Sequence, residues 1–369
     1  MKKVVVVGGG PAGMMAAISA AANGARVTLI EKKSALGKKL KITGKGRCNL
    51  TNLRPVSEFI AQYPGNGRFL YSALHQFSNQ DLIDFFEERG VKTKVERGQR
   101  VFPASDQASD VVRALENSIR DHGIELVRPC RVSDVLIQDD RILGVKTDRG
   151  LIEGEATIIA TGGLSYPATG STGDGYQWAA KAGHNIITPR PGLVPLETAE
   201  TWVKQCQGLS LKNVQAAAYD DKGRMINQEF GEMLFTHFGV SGPIILSMSS
   251  DIARLMGDEG NKIKLYIDLK PALSPEKLDE RLQRDLVLYS RRQFKNALED
   301  LLPRLLIPVI VNLSGIEAQK PCHQVTREER LRLKDILKNL PLTITATRPI
   351  KEAIITRGGV DVSEVDPRT

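Results

Sequence analysis

An α/β architecture, a doubly wound parallel sheet interrupted by a β-rich insert, is predicted by three observations on this 369-residue chain. The chain opens with an apolar strand, a glycine-rich turn and a helix. Its middle is a series of short alternating strands separated by turn residues. A charged helical stretch with its own start signal lies inside that series. The length suits two or three domains rather than one.

The opening reads MKKVVVVGGGPAGMMAAISAAANGARVTLIE. Val4, Val5, Val6 and Val7 form a strand, and residues 8–13 form the turn. Gly8 permits the tight turn, Gly10 lets backbone approach a pyrophosphate, and Gly13 lets the helix pack closely on the strand. Pro11 and Ala12 open the helix, whose N-terminus offers free N–H groups and a partial positive charge to phosphates. A second strand ends in Glu31, placed to accept from ribose hydroxyls. The pattern specifies an adenine dinucleotide, and by itself it fits FAD and NAD alike.

A glycine-rich cationic loop follows and carries Lys32, Lys39, Gly46, Arg47, Cys48 and Asn49. Two readings apply to it, a solvated basic loop or a wall of the cofactor cavity where backbone and side chains meet phosphate or flavin. Helices are predicted over 81–89, with Gly90 as the stop, and over 106–122, where Val111, Val112, Leu115 and Ile119 share a face. Residues 130–137 read as a strand, and Val132 lies where folds of this kind place backbone against adenine. Residues 141–147 and 151–153 bracket a hairpin turn, and 156–160 is a buried strand running into Thr161, Gly162 and Gly163. The polar run through Gly173 and Asp174 precedes a helix over 176–182; Asp174 or Thr172 caps that helix, or the run meets the flavin ribityl chain. The Ala-Thr-Gly strand end, the position of Val132 and the large insertion together favour FAD over NAD.

Three prolines and a glycine over 189–195 mark a domain crossing. Strands are predicted over 211–219, 224–227, 262–269, 342–346 and 352–356, an apolar segment over 244–256, and helices over 274–301, 303–313 and 327–340. The predicted division is 1–190 with 350–369, 191–270 with 341–349, and a helical subdomain at 271–340.

Composition is that of an ordinary globular protein, 41% hydrophobic and 25% charged. Four scattered cysteines without a C-x-x-C pair suggest neither a zinc site nor a disulfide framework, and no metal is expected. Free thiols and a strand at the very start, with no leader before it, point to the cytoplasm. No apolar run reaches bilayer-spanning length, so no membrane partner is expected. The net charge of +8 is spread out and aromatics are 5%, which argues against a nucleic-acid face and for a small-molecule substrate. Oligomeric state is not legible.

Several runs resemble the YhiN/BaiN-like flavoprotein family, which includes aminoacetone oxidase-like enzymes. They are the turn at 8–13, Gly44-Lys45-Gly46-Arg47-Cys48-Asn49-Leu50-Thr51-Asn52, Arg100-Val101-Phe102-Pro103, the run at 161–174, Leu234-Phe235-Thr236-His237-Phe238-Gly239-Val240-Ser241-Gly242-Pro243, and Gly358-Gly359-Val360. The resemblance implies a FAD/NAD(P)-binding Rossmann-like domain of the glutathione-reductase type, an inserted β-barrel-like domain, a helical subdomain and non-covalent FAD. It implies an oxidoreductase moving hydride between a small molecule and flavin N5, with oxygen or transient NAD(P)H as the other partner. A further strand, turn and helix follow Gly-Gly-Val in that pattern. Their absence before Thr369 leads to the expectation of a partly uncovered flavin cavity. Cys48 is a candidate redox contact or an inert packed thiol, and His237 a candidate acid or base or a structural histidine. A flavoprotein acting on tRNA and a truncated nucleotide-binding scaffold without activity are the alternative functions.

Overall fold

The computed structural model describes residues 1–63, 65–257 and 261–368, so Thr369, the end of the first predicted domain, lies outside the described residues. The chain divides into two compact units, Met1–Arg190 with Arg357–Thr369, and Pro191–Thr356.

The first unit is built on a parallel sheet ordered Ala156–Ile159, Lys3–Val7, Arg26–Ile30, Glu125–Val127. The four consecutive valines follow from burial on both faces, which removes the need for polar alternation. Val4 and Val6 join the core made with helices Pro11–Ala22 and Ala108–Asp121, where Met14, Ala17, Val111 and Leu115 pack. Val5 and Val7 point the other way, into a core shared with the antiparallel sheet Val132–Gln138, Arg141–Thr147, Gly150–Glu153. A small sheet of Thr51–Asn52, Arg100–Pro103 and Thr93–Glu96 lies in the same unit. Beside it in sequence, helix Asn79–Glu87 begins in a reciprocal capping box between Ser78 and Asp81.

The second unit is a closed six-stranded barrel. The predicted strands at 211–219 and 224–227 are Ser210–Tyr219 and Met225–Phe235. The latter runs on unbroken through Gly231 to Phe235; the bulge lies on the partner strand, where Leu211 to Val214 spans one residue more than Met233 to Gly231. Leu196–Thr198 pairs with Leu340–Thr347 and closes the ring. The apolar segment at 244–256 is a helix, Pro243–Met256, whose Ile245 and Met248 are buried with Met233, Phe235, Leu265 and Ile344. The helical stretch between the last two barrel strands belongs to this same compact unit. Helix Pro275–Leu288 starts at the Ser274 cap, and Arg327–Lys338 starts at a Thr326–Glu329 capping box. The predicted helix at 274–301 ends at Leu288, and a short helix resumes at Phe294–Ala297. No helix among the described residues is long and apolar enough to cross a membrane.

Candidate functional site

The chain leaves strand Lys3–Val7 toward Arg26–Ile30 on one side and returns as Ala156–Ile159 on the other. Such a switch point opens a crevice at the carboxyl ends of the strands. A cavity of about 300 Å³ lies there. The turn that floors it is fixed by close approach. A Cβ on Gly8 would stand 2.4 Å from the Ala160 carbonyl oxygen, and one on Gly13 would stand 1.9 Å from that of Gly8. Gly10 differs, because no heavy atom lies within 4 Å of the place its Cβ would take. The first helical bond runs from Met14 N–H to the Gly10 carbonyl at 2.9 Å, and no side chain caps the helix. The N–H groups of Ala12 and Gly13 are therefore left without a partner inside the helix.

The Glu31 carboxylate is fixed in the wall by two backbone donors, Gly9 N–H and Lys33 N–H, each at 2.7 Å. Lys32 Nζ donates to Asp174 Oδ2 at 2.8 Å and to the Thr172 hydroxyl at 2.5 Å. Burial pushes the Asp174 carboxyl up, but the bonds from Lys32 and Thr172 outweigh it and hold the group below the usual carboxylate range. Lys39 Nζ donates to Ser171 Oγ at 2.7 Å and has no carboxylate partner among the described residues. Burial lowers its pKa. This wall can take up an extended anion: backbone donors at the helix end, an uncompensated lysine, and a carboxylate set for hydroxyl groups.

Gly8, Gly10, Pro11, Ala12, Glu31, Lys32, Lys39, Val132, Thr161, Gly162 and Asp174 line this cavity. Gly13, Gly163 and Gly173 are not among its lining residues. Gly173, not Asp174 or Thr172, occupies the N-cap of helix Asp174–Lys181, and no side chain caps it; the Asp174 carboxylate turns to Lys32 instead. The run at 46–49 is also absent from the lining. Arg47 is committed to Glu96 at 2.8 Å and Asp106 at 3.4 Å, and its guanidinium lies 4.2 Å over the Phe102 ring. The Asn49 amide, turned so that its nitrogen donates, meets the Val101 and Thr51 carbonyls. Cys48 is fully buried, its N–H bonds to the Thr43 carbonyl, and burial pushes its thiol up. Gly46 ends the turn ahead of them. Arg47 and Asn49 tie their loop to the small sheet, and Cys48 packs in the core beneath it.

His237 is exposed in the second unit, in the turn between strands Met225–Phe235 and Gly239–Ser241. Its ring stands edge-on to Phe238 at 4.9 Å. The Arg348 guanidinium covers Phe238 at 4.5 Å while forked to Glu352 and bonded to Glu197.

Sequence reasoning missed Gly9, whose N–H orients Glu31, and also Cys130 and Trp178 on the cavity wall; Ser171, also on that wall, belongs to the polar run that one sequence reading set beside the flavin. Trp178 had a usable signal: four residues after Asp174 on a helix, it shares that residue's face. Its indole N–H donates to the Ser133 carbonyl at 3.3 Å. Among the described residues no group of three or more His, Cys, Asp or Glu is placed to hold a metal ion.

The 3-dehydro-bile acid delta(4,6)-reductase of Clostridium scindens is 29% identical over 372 aligned positions, covering 100% of this chain and 89% of that one. A ribosomal RNA dihydrouridine synthase of Haemophilus influenzae is 28% identical over 375 positions, covering 99% and 87%. Among solved structures, the open conformation of a flavocytochrome c3 fumarate reductase aligns with a TM-score of 0.46 and 15% identity over 97% of this chain and 67% of that one. The HI0933-like protein Rossmann domain matches residues 2–369. The chain belongs to that HI0933-like family, and its parallel-sheet unit is a Rossmann-type FAD-binding domain.

Proposed function

We propose that this protein is an FAD-dependent reductase that delivers hydride to an electron-poor carbon–carbon double bond conjugated with a carbonyl. The cofactor half rests on one observation: Gly10 leaves open space where a Cβ would be, directly at a helix end with free N–H groups. Gly10 and the N–H groups of Ala12 and Gly13 would hold the pyrophosphate. Glu31 would hold the ribose, Lys39 would balance phosphate charge, and Val132 with Trp178 would flank the adenine. Bound flavin supplies the two-electron carrier, and the protein supplies its binding and orientation. The reaction half rests on the names of the relatives. A delta(4,6) 3-oxo steroid and a uracil ring both present an alkene polarised by a carbonyl. NAD(P)H is the proposed reductant, docking transiently, because the sequence holds a single glycine fingerprint. Oxygen would compete as acceptor.

The purified protein is expected to be yellow and to release FAD in acid. NADPH or NADH should bleach it anaerobically, and a 3-keto-4,6-diene steroid or a uridine-containing RNA should restore the colour. Colourless protein that takes up no added FAD sinks the cofactor assignment. Flavin that is reduced but never reoxidised by a conjugated enone sinks the reaction.

A second reading places the double bond in an RNA uridine, supported by the names of the ribosomal RNA relatives. Steeply salt-dependent RNA binding would support it, and no binding at low salt ends it.

Lys39 makes dinucleotide affinity pH-dependent. An arriving phosphate favours its ammonium form and raises the pKa that burial had lowered. Binding above the lowered pKa therefore takes up a proton, and affinity falls as pH rises through the lysine range. Lys39→Met is expected to weaken FAD binding at neutral pH and to abolish that alkaline decline. Titrations of FAD across pH test this, and a decline kept in the variant assigns it to another group.

A further inference from the structure

Two segments of the first unit meet at the cavity, residues 32–39 after the second strand and residues 169–174 before helix Asp174–Lys181. They are more than 130 residues apart in sequence, and side chains rather than backbone pairing join them. Lys32 bridges to Asp174 and Thr172, and the Thr172 hydroxyl donates to the second Asp174 oxygen at 3.0 Å. Lys39 bridges separately to Ser171. The Lys32 and Asp174 side chains are only 22% and 21% exposed, so their attraction is screened less than that of a surface pair. Lys32, Lys39, Ser171 and Asp174 all line the cavity, so the cross-links are part of its wall.

The second segment carries a glycine on either side of two of its bridging residues. Gly170 and Gly173 flank the bridging residues Ser171 and Thr172, and both sit at left-handed φ, +114° and +81°. Glycine takes up large dihedral changes at such positions without a Cβ penalty. The bridges use up side-chain donors and acceptors of both segments; Ser171 and Thr172 lie between the two glycines, and Asp174 follows Gly173 as the first residue of the helix.

We propose that the Lys32–Asp174–Thr172 and Lys39–Ser171 bridges form a strap that must open for a dinucleotide to enter or leave, and that the strap sets the rate of FAD release. The inference rests on the reading that FAD occupies this cavity. Lys32 and Asp174 are positioning residues here: each acts through the other to hold the wall shut. Opening separates the ammonium from the carboxylate and exposes both to water, and no covalent step is involved.

The test is FAD release from the holoprotein, followed by the fluorescence of freed flavin after dilution. Asp174→Asn and Lys32→Met are each expected to speed release about tenfold, with a smaller change in the association rate, because interface changes act mainly on dissociation. The double variant should release no faster than the faster single variant, since both remove one bridge. Added salt should speed release more steeply from wild type than from the two variants, which keep only the salt-sensitive contact of Lys39 with phosphate. Thr172→Val gives a milder variant that keeps the ion pair, and it should show a smaller acceleration if Asp174→Asn fails to fold. Wild-type protein without FAD affinity would overturn the cofactor reading itself. Wild type that holds FAD, with Lys32→Met and Thr172→Val releasing it at the wild-type rate, overturns the strap alone. Acceleration by Asp174→Asn without any by Lys32→Met also overturns it, because Asp174 would then act on the cofactor directly.

Discussion

Gly10→Ala is expected to yield a folded protein that no longer retains FAD. The backbone at Gly10 has φ −79° and ψ 177°, which any residue adopts, and the added methyl meets no heavy atom within 4 Å. The lost helix-cap preference and the reduced freedom of the unfolded chain oppose each other, so apo stability should change by no more than about 0.5 kcal/mol. The cost falls on the ligand. A methyl in that space holds the pyrophosphate off the helix end and lengthens its bonds to the free N–H groups. Hydrogen bonds to a charged group contribute about 1.5–3 kcal/mol each, so losing two weakens binding by about a hundredfold or more. Gly13→Ala provides the contrast. Its methyl would lie 1.9 Å from the Gly8 carbonyl oxygen, so the helix must shift and both apo stability and affinity should fall. Flavin content per chain, reconstitution affinity and apo melting temperature separate the two. Gly10→Ala protein with wild-type FAD affinity would show that the pyrophosphate does not lie against that backbone.

The strand, turn and helix at the start were legible because every determinant is local. Gly8, Gly13 and Glu31 lie within two dozen residues of one another, and their steric reasons follow from the turn itself. Arg47 shows the opposite case. A Gly-Arg-Cys-Asn run in a cationic loop reads as a ligand site, yet its charge is neutralised by Glu96 and Asp106, 49 and 59 residues further on. No local rule announces those partners. The barrel is similar: alternating strands were visible one by one, but closure depends on Leu196–Thr198 finding Leu340–Thr347 across the whole helical stretch. The strand predicted to stop at Asn227 runs on to Phe235, because the partners that hold its second half are in Ser210–Tyr219 and Gly239–Ser241, not in its own letters. Trp178 was visible as a residue but not as cavity wall, since the rest of that wall comes from segments far off in sequence, residues 32–39 among them.

Glu31→Gln is expected to weaken FAD binding by more than about tenfold and to lower apo stability, although it preserves the size of the side chain. The two carboxylate oxygens each accept from a backbone N–H at 2.7 Å, one from Gly9 and one from Lys33. An amide supplies one acceptor oxygen and sets an NH₂ group against the other backbone donor, so one N–H loses its partner in a part-buried site. That cost is about 1–3 kcal/mol and acts on the apo protein. The ribose loses more, because its hydroxyls would meet a neutral oxygen in place of a charged one, and roughly half of the acceptor capacity is gone. Glu31→Ala removes both braces and should lower apo stability further while abolishing measurable FAD retention. The discriminating comparison is apo melting temperature against FAD affinity in the same variant. If Glu31 serves only to brace the glycine turn, Glu31→Gln lowers the melting temperature and leaves affinity unchanged once the protein is folded. If it also holds the ribose, affinity falls further than the loss of stability explains. Adenosine diphosphate ribose, which carries the ribose and pyrophosphate without a flavin ring, should then lose affinity by the same factor as FAD, placing the defect at the adenosine end of the cavity.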